Sequence, residues 1–208
     1  MPIIGILRRC LPDRILKVAE SAARSGLTTI EITFDSEDPT NQIRWILEAF
    51  PELTVGAGTV LDRRQAEQAI DAGASFMVSP VVSPAVVSVC LDADVPYLPG
   101  AATPTEIWTA HGAGATAVKV FPARELGGPA YVSALRAPLQ GIPLVPTGGI
   151  DLDDIPGYLA AGAAAIGLGG TLFPTALIED GLFSEISDLV TKAVENAARP
   201  VTGAIVDK

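Results

Sequence analysis

Ala113-Gly114-Ala115-Thr116-Ala117-Val118-Lys119-Val120-Phe121-Pro122 reads as the end of a helix, a turn and a buried strand. Glycine between two small residues supplies the left-handed position that closes a helix. The wording recurs at Ser25-Gly26-Leu27, Ala72-Gly73-Ala74 and Ala161-Gly162-Ala163. Working outward, short apolar, β-branched runs alternate with amphipathic stretches, the pattern of successive βα units on a parallel sheet. Strands are predicted at Pro2 to Leu7, Thr28 to Phe34, Leu53 to Val60, Ser75 to Ser79, Pro96 to Pro99, Ala117 to Phe121, Pro143 to Pro146 and Ala165 to Leu168. Eight βα units in one compact α/β chain predict a closed (β/α)₈ TIM barrel with short loops, since ~250 residues is the usual length. An open doubly wound sheet is the other arrangement this alternation allows. One domain is expected over residues 1–199, with a loose tail at 200–208.

At 208 residues with positive mean hydropathy, the chain is long enough to bury a large core. No apolar run approaches the ~20 residues of a membrane helix, and no charged leader with a cleavage site opens the sequence. A cytoplasmic protein with no membrane partner is expected. Fourteen basic residues against 24 acidic ones, net charge -10, argue against nucleic acid, whose phosphates need a basic footprint. Cys10 and Cys90 are too few for a disulfide scaffold and lack metal-ligand spacing, so both read as packing residues. Trp45 and Trp108 fall in helical stretches and read likewise. The single histidine, His111, sits at a helix end as a capping or surface residue.

Of the four lysines, Lys17, Lys192 and Lys208 lie in polar or terminal stretches, whereas Lys119 interrupts an apolar strand. A buried ammonium loses its hydration, so it pairs with a carboxylate or becomes the neutral amine that attacks carbonyls. The bland alternative is a strand-end lysine that snorkels to water. Parity along a barrel strand weighs against it. If Val118 and Val120 face the helices, Lys119 points inward; if Ile30 and Ile32 do so, Glu31 and Thr33 point inward. Two opposite charges on separate strands are thereby predicted to converge inside the barrel, as a catalytic pair rather than a structural one.

Glycines end two late strands, at Pro146-Thr147-Gly148-Gly149-Ile150-Asp151 and Gly167-Leu168-Gly169-Gly170-Thr171. Each segment leads into a helical start, and freed amides beside a helix N-terminus make an anion cradle at the usual barrel phosphate site. Val55-Gly56-Ala57-Gly58-Thr59-Val60 ends the third strand and could admit a substrate closely. It is not a dinucleotide fingerprint, and no nicotinamide cofactor is expected.

Taken in order, Ile6-Leu7-Arg8, Ile30-Glu31-Ile32-Thr33, Gly56-Ala57-Gly58-Thr59-Val60, Ser79-Pro80, Pro99-Gly100, Lys119-Val120-Phe121-Pro122-Ala123 and Pro146-Thr147-Gly148-Gly149 resemble the family of 2-keto-3-deoxy-6-phosphogluconate (KDPG), 4-hydroxy-2-oxoglutarate (KHG) and 6-phosphogalactonate aldolases, over about Ile4 to Pro174. The resemblance implies a trimeric (β/α)₈ barrel and a lyase. Its lysine forms a Schiff base with pyruvate and needs neither metal nor cofactor. By that resemblance Lys119 is the nucleophile and Glu31 the acid/base. Arg8, Thr33, Thr59, Pro80, Phe121 and Thr147 would contact a keto-acid or phosphosugar-acid substrate, and Gly148, Gly149, Gly169 and Gly170 would hold its phosphate.

The match departs from the family at one place. Some members carry an arginine four residues after the glutamate, where it can hold the substrate carboxylate, and this chain has Asp35. Arg8 is then the expected carboxylate clamp. Asp35 and Ser36 would contact substrate hydroxyls or cap the helix that starts near Pro39. The competing functions are a phosphate-binding isomerase or decarboxylase barrel, which would not need an imine, and a non-catalytic phosphosugar-binding barrel, which would not need a buried Lys and Glu pair.

Overall fold

The computed structural model describes residues 1–199; the tail expected at 200–208 lies outside the described residues. The chain alternates strand and helix in the order β1 (Ile3–Leu7), α1 (Ile15–Arg24), β2 (Thr29–Thr33), α2 (Pro39–Ala49), β3 (Thr54–Gly58), α3 (Arg63–Asp71), β4 (Met77–Val78), α4 (Pro84–Asp92), β5 (Tyr97–Leu98), β6 (Gly100–Ala101), α5 (Pro104–Gly112), β7 (Val118–Val120), α6 (Gly128–Arg136) and β8 (Leu144–Pro146). A 3₁₀ turn (Leu152–Asp154), α7 (Ile155–Ala160), β9 (Ile166–Leu168), α8 (Thr175–Glu179) and α9 (Phe183–Ala198) complete it.

Every strand pair is parallel. The strands form a six-stranded sheet in the order β5-β4-β3-β2-β1-β9 and a three-stranded sheet β6-β7-β8. A parallel bridge between Thr147 and Gly167 joins β8 to β9. The fifth predicted strand, Pro96 to Pro99, is observed as β5, and a further short strand, β6, follows it past Pro99. Proline has no N–H to donate, and Pro99 separates β5, which pairs with β4, from β6, which pairs with β7. Its carbonyl still accepts from Lys119 N at 2.9 Å.

The four glycine turns close their helices as the sequence predicts. Gly26, Gly73, Gly114 and Gly162 have φ of +90°, +93°, +98° and +88°. In each, the residue after glycine donates back across the turn: Leu27 N to Ala22 O, Ala74 N to Ala69 O, Ala115 N to Ala110 O and Ala163 N to Tyr158 O. This is the Schellman closure. Asp94 (φ +55°) builds a fifth copy, with Val95 N donating to Cys90 O. Its aspartate, one of the few side chains that tolerate this conformation, concealed the turn in the sequence.

Two apolar clusters lie on opposite faces of the strands. The larger one contains Ile30, Ile32, Val118 and Val120 together with buried helix residues such as Ile43, Ile107 and Val132. Truncating one of its fully buried isoleucines to alanine would cost about 2–5 kcal/mol. The smaller cluster holds Phe76, Val78, Leu98 and Val145, with Ile4, Ala117 and Ala165 against it. Ala117 and Val145 stand two residues before Lys119 and Thr147, so this second cluster forms the floor beneath the polar strand ends. Cys10 and Cys90 are free and buried, and burial pushes their thiols up to about 12 and about 11. Trp108 corrects the packing expectation: it is 64% exposed on α5, and Trp45 is also exposed.

Candidate active site

Lys119 lies in the middle of β7, opposite Gly100 on β6 and Val145 on β8, and is 4% exposed. Glu31 lies in β2, opposite Ile6 on β1 and Gly56 on β3, and is 2% exposed. Strand parity therefore sends both side chains inward. Burial raises the Glu31 carboxyl, while the charges of Lys119 and Arg8 act to lower it. Burial lowers the Lys119 ammonium; Glu31 opposes that and Arg8 adds to it. Desolvation dominates at both residues and favours a neutral amine beside a carboxyl that can hold a proton. Among the described residues Lys119 forms no direct ion pair, and Glu31 Oε1 is buried without a hydrogen-bond partner.

A cavity opens above Lys119 at the carboxyl ends of the strands. Ile6, Arg8, Lys119, Phe121 and Thr147 line it, together with Gly148, Gly149, Gly169, Gly170 and Thr171. The Lys119 Nζ sits 5.3 Å from the centre of the Phe121 ring. The sequence reading missed Ile6, Ile150 and Thr171, which also line the cavity. Only the Ile-Leu-Arg motif and the residue after the second glycine pair pointed to them. Thr33, Thr59 and Pro80 stand outside this lining. The Thr33 hydroxyl is buried and donates to Leu7 O at 3.3 Å. Pro80 presses its backbone on Gly100, where a Cβ would overlap the Pro80 carbonyl. Thr59 has φ +56° and accepts from Arg8 Nη2 at 3.1 Å.

Glycines at the strand ends serve the protein's own side chains. A Cβ at Gly56 would collide with the Phe76 ring, one at Gly58 with the Glu31 carboxylate and one at Gly167 with Thr147. The third-strand motif thus gives room to Phe76 and Glu31, where a close approach by substrate was expected. Gly148 and Gly149 have φ of +99° and +68°. A Cβ at Gly170 would meet nothing within 4 Å. The helix N-terminus expected behind the first glycine pair is a short 3₁₀ turn already capped by carboxylates. Asp151 and Asp154 form a reciprocal capping box there, and Arg124 is taken up by Asp151 at 3.0 Å. Among the described residues the cations that line the cavity are Arg8 and Lys119, and Arg124 stands at its edge with Nη1 donating to Gly149 O at 3.1 Å. The Thr171 hydroxyl already donates to Ile150 O at 2.9 Å, so an anion on the glycines depends on backbone amides.

Asp35 accepts from Arg8 Nη1 at 2.8 Å and from Arg9 Nε at 3.3 Å. Ser36 Oγ accepts from Arg9 N at 2.9 Å. These contacts tie the end of β1 to the end of β2. The residue at the N-cap of α2 is Asp38, which disposes of the capping role considered for Asp35.

A sequence model of the KDPG and KHG aldolases matches residues 1–189. The 2-dehydro-3-deoxy-phosphogluconate aldolase of Pseudomonas aeruginosa is 38% identical over 95% of this chain and 89% of its own length. A Rhizobium meliloti protein named as a probable 2-dehydro-3-deoxy-6-phosphogalactonate aldolase is 38% identical over 83% of this chain and 82% of its own. Among solved structures, KDPG aldolase from Legionella pneumophila, with pyruvate captured as a covalent carbinolamine, superposes with a TM-score of 0.86 at 26% identity, covering 92% of this chain and 93% of that one. Motifs, fold and relatives agree: the chain belongs to the KDPG and KHG aldolase family.

Proposed function

We propose that the protein is a class I aldolase that cleaves 2-keto-3-deoxy-6-phosphogluconate, or a close 2-keto-3-deoxy sugar acid, to pyruvate and an aldehyde such as glyceraldehyde 3-phosphate. The observation that carries this reading is Lys119, buried at the floor of the cavity with its ammonium destabilised by desolvation. An isomerase, a decarboxylase without an imine or a passive sugar-binding barrel gives that lysine no task.

The neutral Lys119 amine adds to the C2 carbonyl, giving a carbinolamine whose hydroxyl leaves as water once protonated. Glu31 in its acid form, which burial favours, supplies that proton and becomes a carboxylate. The carboxylate then accepts the proton of the C4 hydroxyl as the C3–C4 bond breaks. The bonding electrons flow into the protonated imine, the aldehyde departs, and an enamine of pyruvate remains. Glu31 returns its proton to C3, and water hydrolyses the imine to release pyruvate and the amine. Arg8 binds the substrate carboxylate. Thr147 and Phe121 bound the imine, and the amides of Gly148, Gly149, Gly169 and Gly170 take the phosphate. No step calls for a metal or a cofactor.

A second reading, in which the substrate is an unphosphorylated keto acid such as 4-hydroxy-2-oxoglutarate, is favoured by the capped turn at Asp151, whose carboxylate also takes up Arg124, the cation beside Gly149.

The same proposal includes a closed (β/α)₈ barrel over a domain of residues 1–199. It is supported by the Thr147 to Gly167 bridge, by the position of β5 and β6 on either side of Pro99, one paired with β4 and the other with β7, and by the small apolar cluster on the inner face. It also includes a homotrimer in the cytoplasm. Leu91 on α4 and Trp108 on α5 support the oligomer, since both are large apolar residues at least 60% exposed. No helix among the described residues is long and apolar enough to cross a membrane. Incubation with a panel of 2-keto acids, coupled to pyruvate detection, tests the reading: pyruvate from none of them would reject it.

A further inference from the structure

We propose that Asp35 is a positioning residue: it fixes the guanidinium of Arg8 above Lys119 so that Arg8, and not position 35, provides the clamp for the substrate carboxylate. This inference rests on the aldolase reading. Arg8 lines the cavity with Lys119 and follows directly on β1. Its flexible stem leaves many orientations open, and two contacts restrict them. Nη1 donates to Asp35 Oδ2 at 2.8 Å, and Nη2 donates to Thr59 Oγ1 at 3.1 Å. A planar guanidinium held through both terminal nitrogens has its plane fixed, and its remaining N–H groups keep a set direction. Thr59 keeps a left-handed backbone, φ +56°, at the point where its hydroxyl meets Arg8. Strain at a non-glycine residue of this kind persists where the surroundings impose it.

The Asp35 carboxylate is poorly suited to a stabilising role. Oδ2 is shared by Arg8 and Arg9, and Oδ1 is buried with no partner. An unpaired buried oxygen costs stability, and exposed ion pairs return little. Asparagine would fit the same space without the charge, so Asp35→Asn is expected to fold. Here a bare carboxylate would repel the substrate, and the Arg8 guanidinium laid across it reverses the local charge.

The experiment measures borohydride trapping of pyruvate, and of neutral pyruvamide, on the wild type, Asp35→Asn, Arg8→Ala and the double variant. The half-saturating pyruvate concentration should rise ~10-fold in Asp35→Asn, the scale of a misplaced binding group. Pyruvamide, which offers no carboxylate, should be trapped at an unchanged rate. In the Arg8→Ala background the Asp35→Asn change should bring no further loss, since the two residues act as one unit, and relief of the bare carboxylate should lower the half-saturating pyruvate concentration. An unchanged half-saturating concentration in Asp35→Asn, equal losses for pyruvate and pyruvamide, or independent losses in the double variant would overturn the proposal. A wild-type protein that traps no pyruvate would instead overturn the aldolase reading on which it rests.

Discussion

Gly58 is the space into which Glu31 folds: a Cβ at position 58 would overlap Oε1, Cδ and Cγ of the Glu31 side chain. The two residues lie diagonally on neighbouring parallel strands: Glu31 pairs with Gly56, and Gly58 is two residues further along β3. Gly58→Ala should therefore displace the carboxylate from its buried position and lower kcat by at least ~10²-fold, the scale of a lost acid/base. The backbone at Gly58 is not left-handed, so alanine adds no conformational strain. Glu31→Gln should not lower activity much further once Gly58→Ala is present. Steady-state kinetics of the two single variants and the double variant check this, and additive losses would separate Gly58 from the function of Glu31.

Glu31→Gln should still reach the imine, more slowly because the carbinolamine has lost its proton donor, and should slow solvent deuterium uptake into the methyl group of the pyruvate once bound as imine by ~10²-fold or more. Mass spectrometry of the recovered pyruvate measures the exchange. Uptake at the wild-type rate would make Glu31 a structural partner of Lys119.

The rate of carbinolamine formation, the addition step, should rise with pH and level off at a midpoint below the ordinary lysine value of 10.5, because burial lowers the Lys119 ammonium. The sign of the Glu31 effect follows from its charge. A carboxylate favours the ammonium, so its removal in Glu31→Gln should move the midpoint further down. A midpoint at 10.5 or above, or an upward shift in the variant, would mean that the nucleophile is a solvated lysine.

Much of this arrangement was legible in the sequence. The inward direction of Lys119 and Glu31 followed from the alternation of isoleucine and valine with the charged residues, and the glycine turns followed from the chemistry of helix ends. Other features were not legible because they depend on what lies opposite in space. The glycines at positions 56 and 58 read as an open rim for substrate, whereas Phe76 and Glu31 fill the room they leave. The pairing of Arg8 with Asp35 joins residues 27 positions apart, and no local pattern announces it. The sequence reading ended the fifth strand at Pro99 and missed β6, because only the pairing of Gly100 and Ala101 with β7 makes them a strand. The segment ending at Asp151 read as an ordinary helix start, and only the capping of Asp151 with Asp154 shows that the N-terminus is already occupied.

The phosphate cradle has a clean test at Gly170, where an added side chain meets no protein atom within 4 Å and the backbone needs no left-handed conformation. Gly170→Val should raise KM for the phosphorylated substrate much more than for 4-hydroxy-2-oxoglutarate. Gly148 is a poorer choice, because its φ of +99° would strain any side chain. Equal effects on both substrates would remove the phosphate from the account and favour the unphosphorylated one.

Light scattering at micromolar concentration should give three times the chain mass, and Trp108→Glu combined with Leu91→Glu should lower it, if these exposed side chains meet another subunit. A wild-type monomer would contradict the oligomer.

The central claim is that Lys119 is the residue that bonds to pyruvate. Borohydride reduction of the protein in the presence of pyruvate, followed by peptide mass analysis, tests it most directly. The account predicts one added reduced pyruvate on the peptide containing Lys119, and its loss in Lys119→Met. Labelling of Lys17 or Lys192, or no labelling at all, would contradict it.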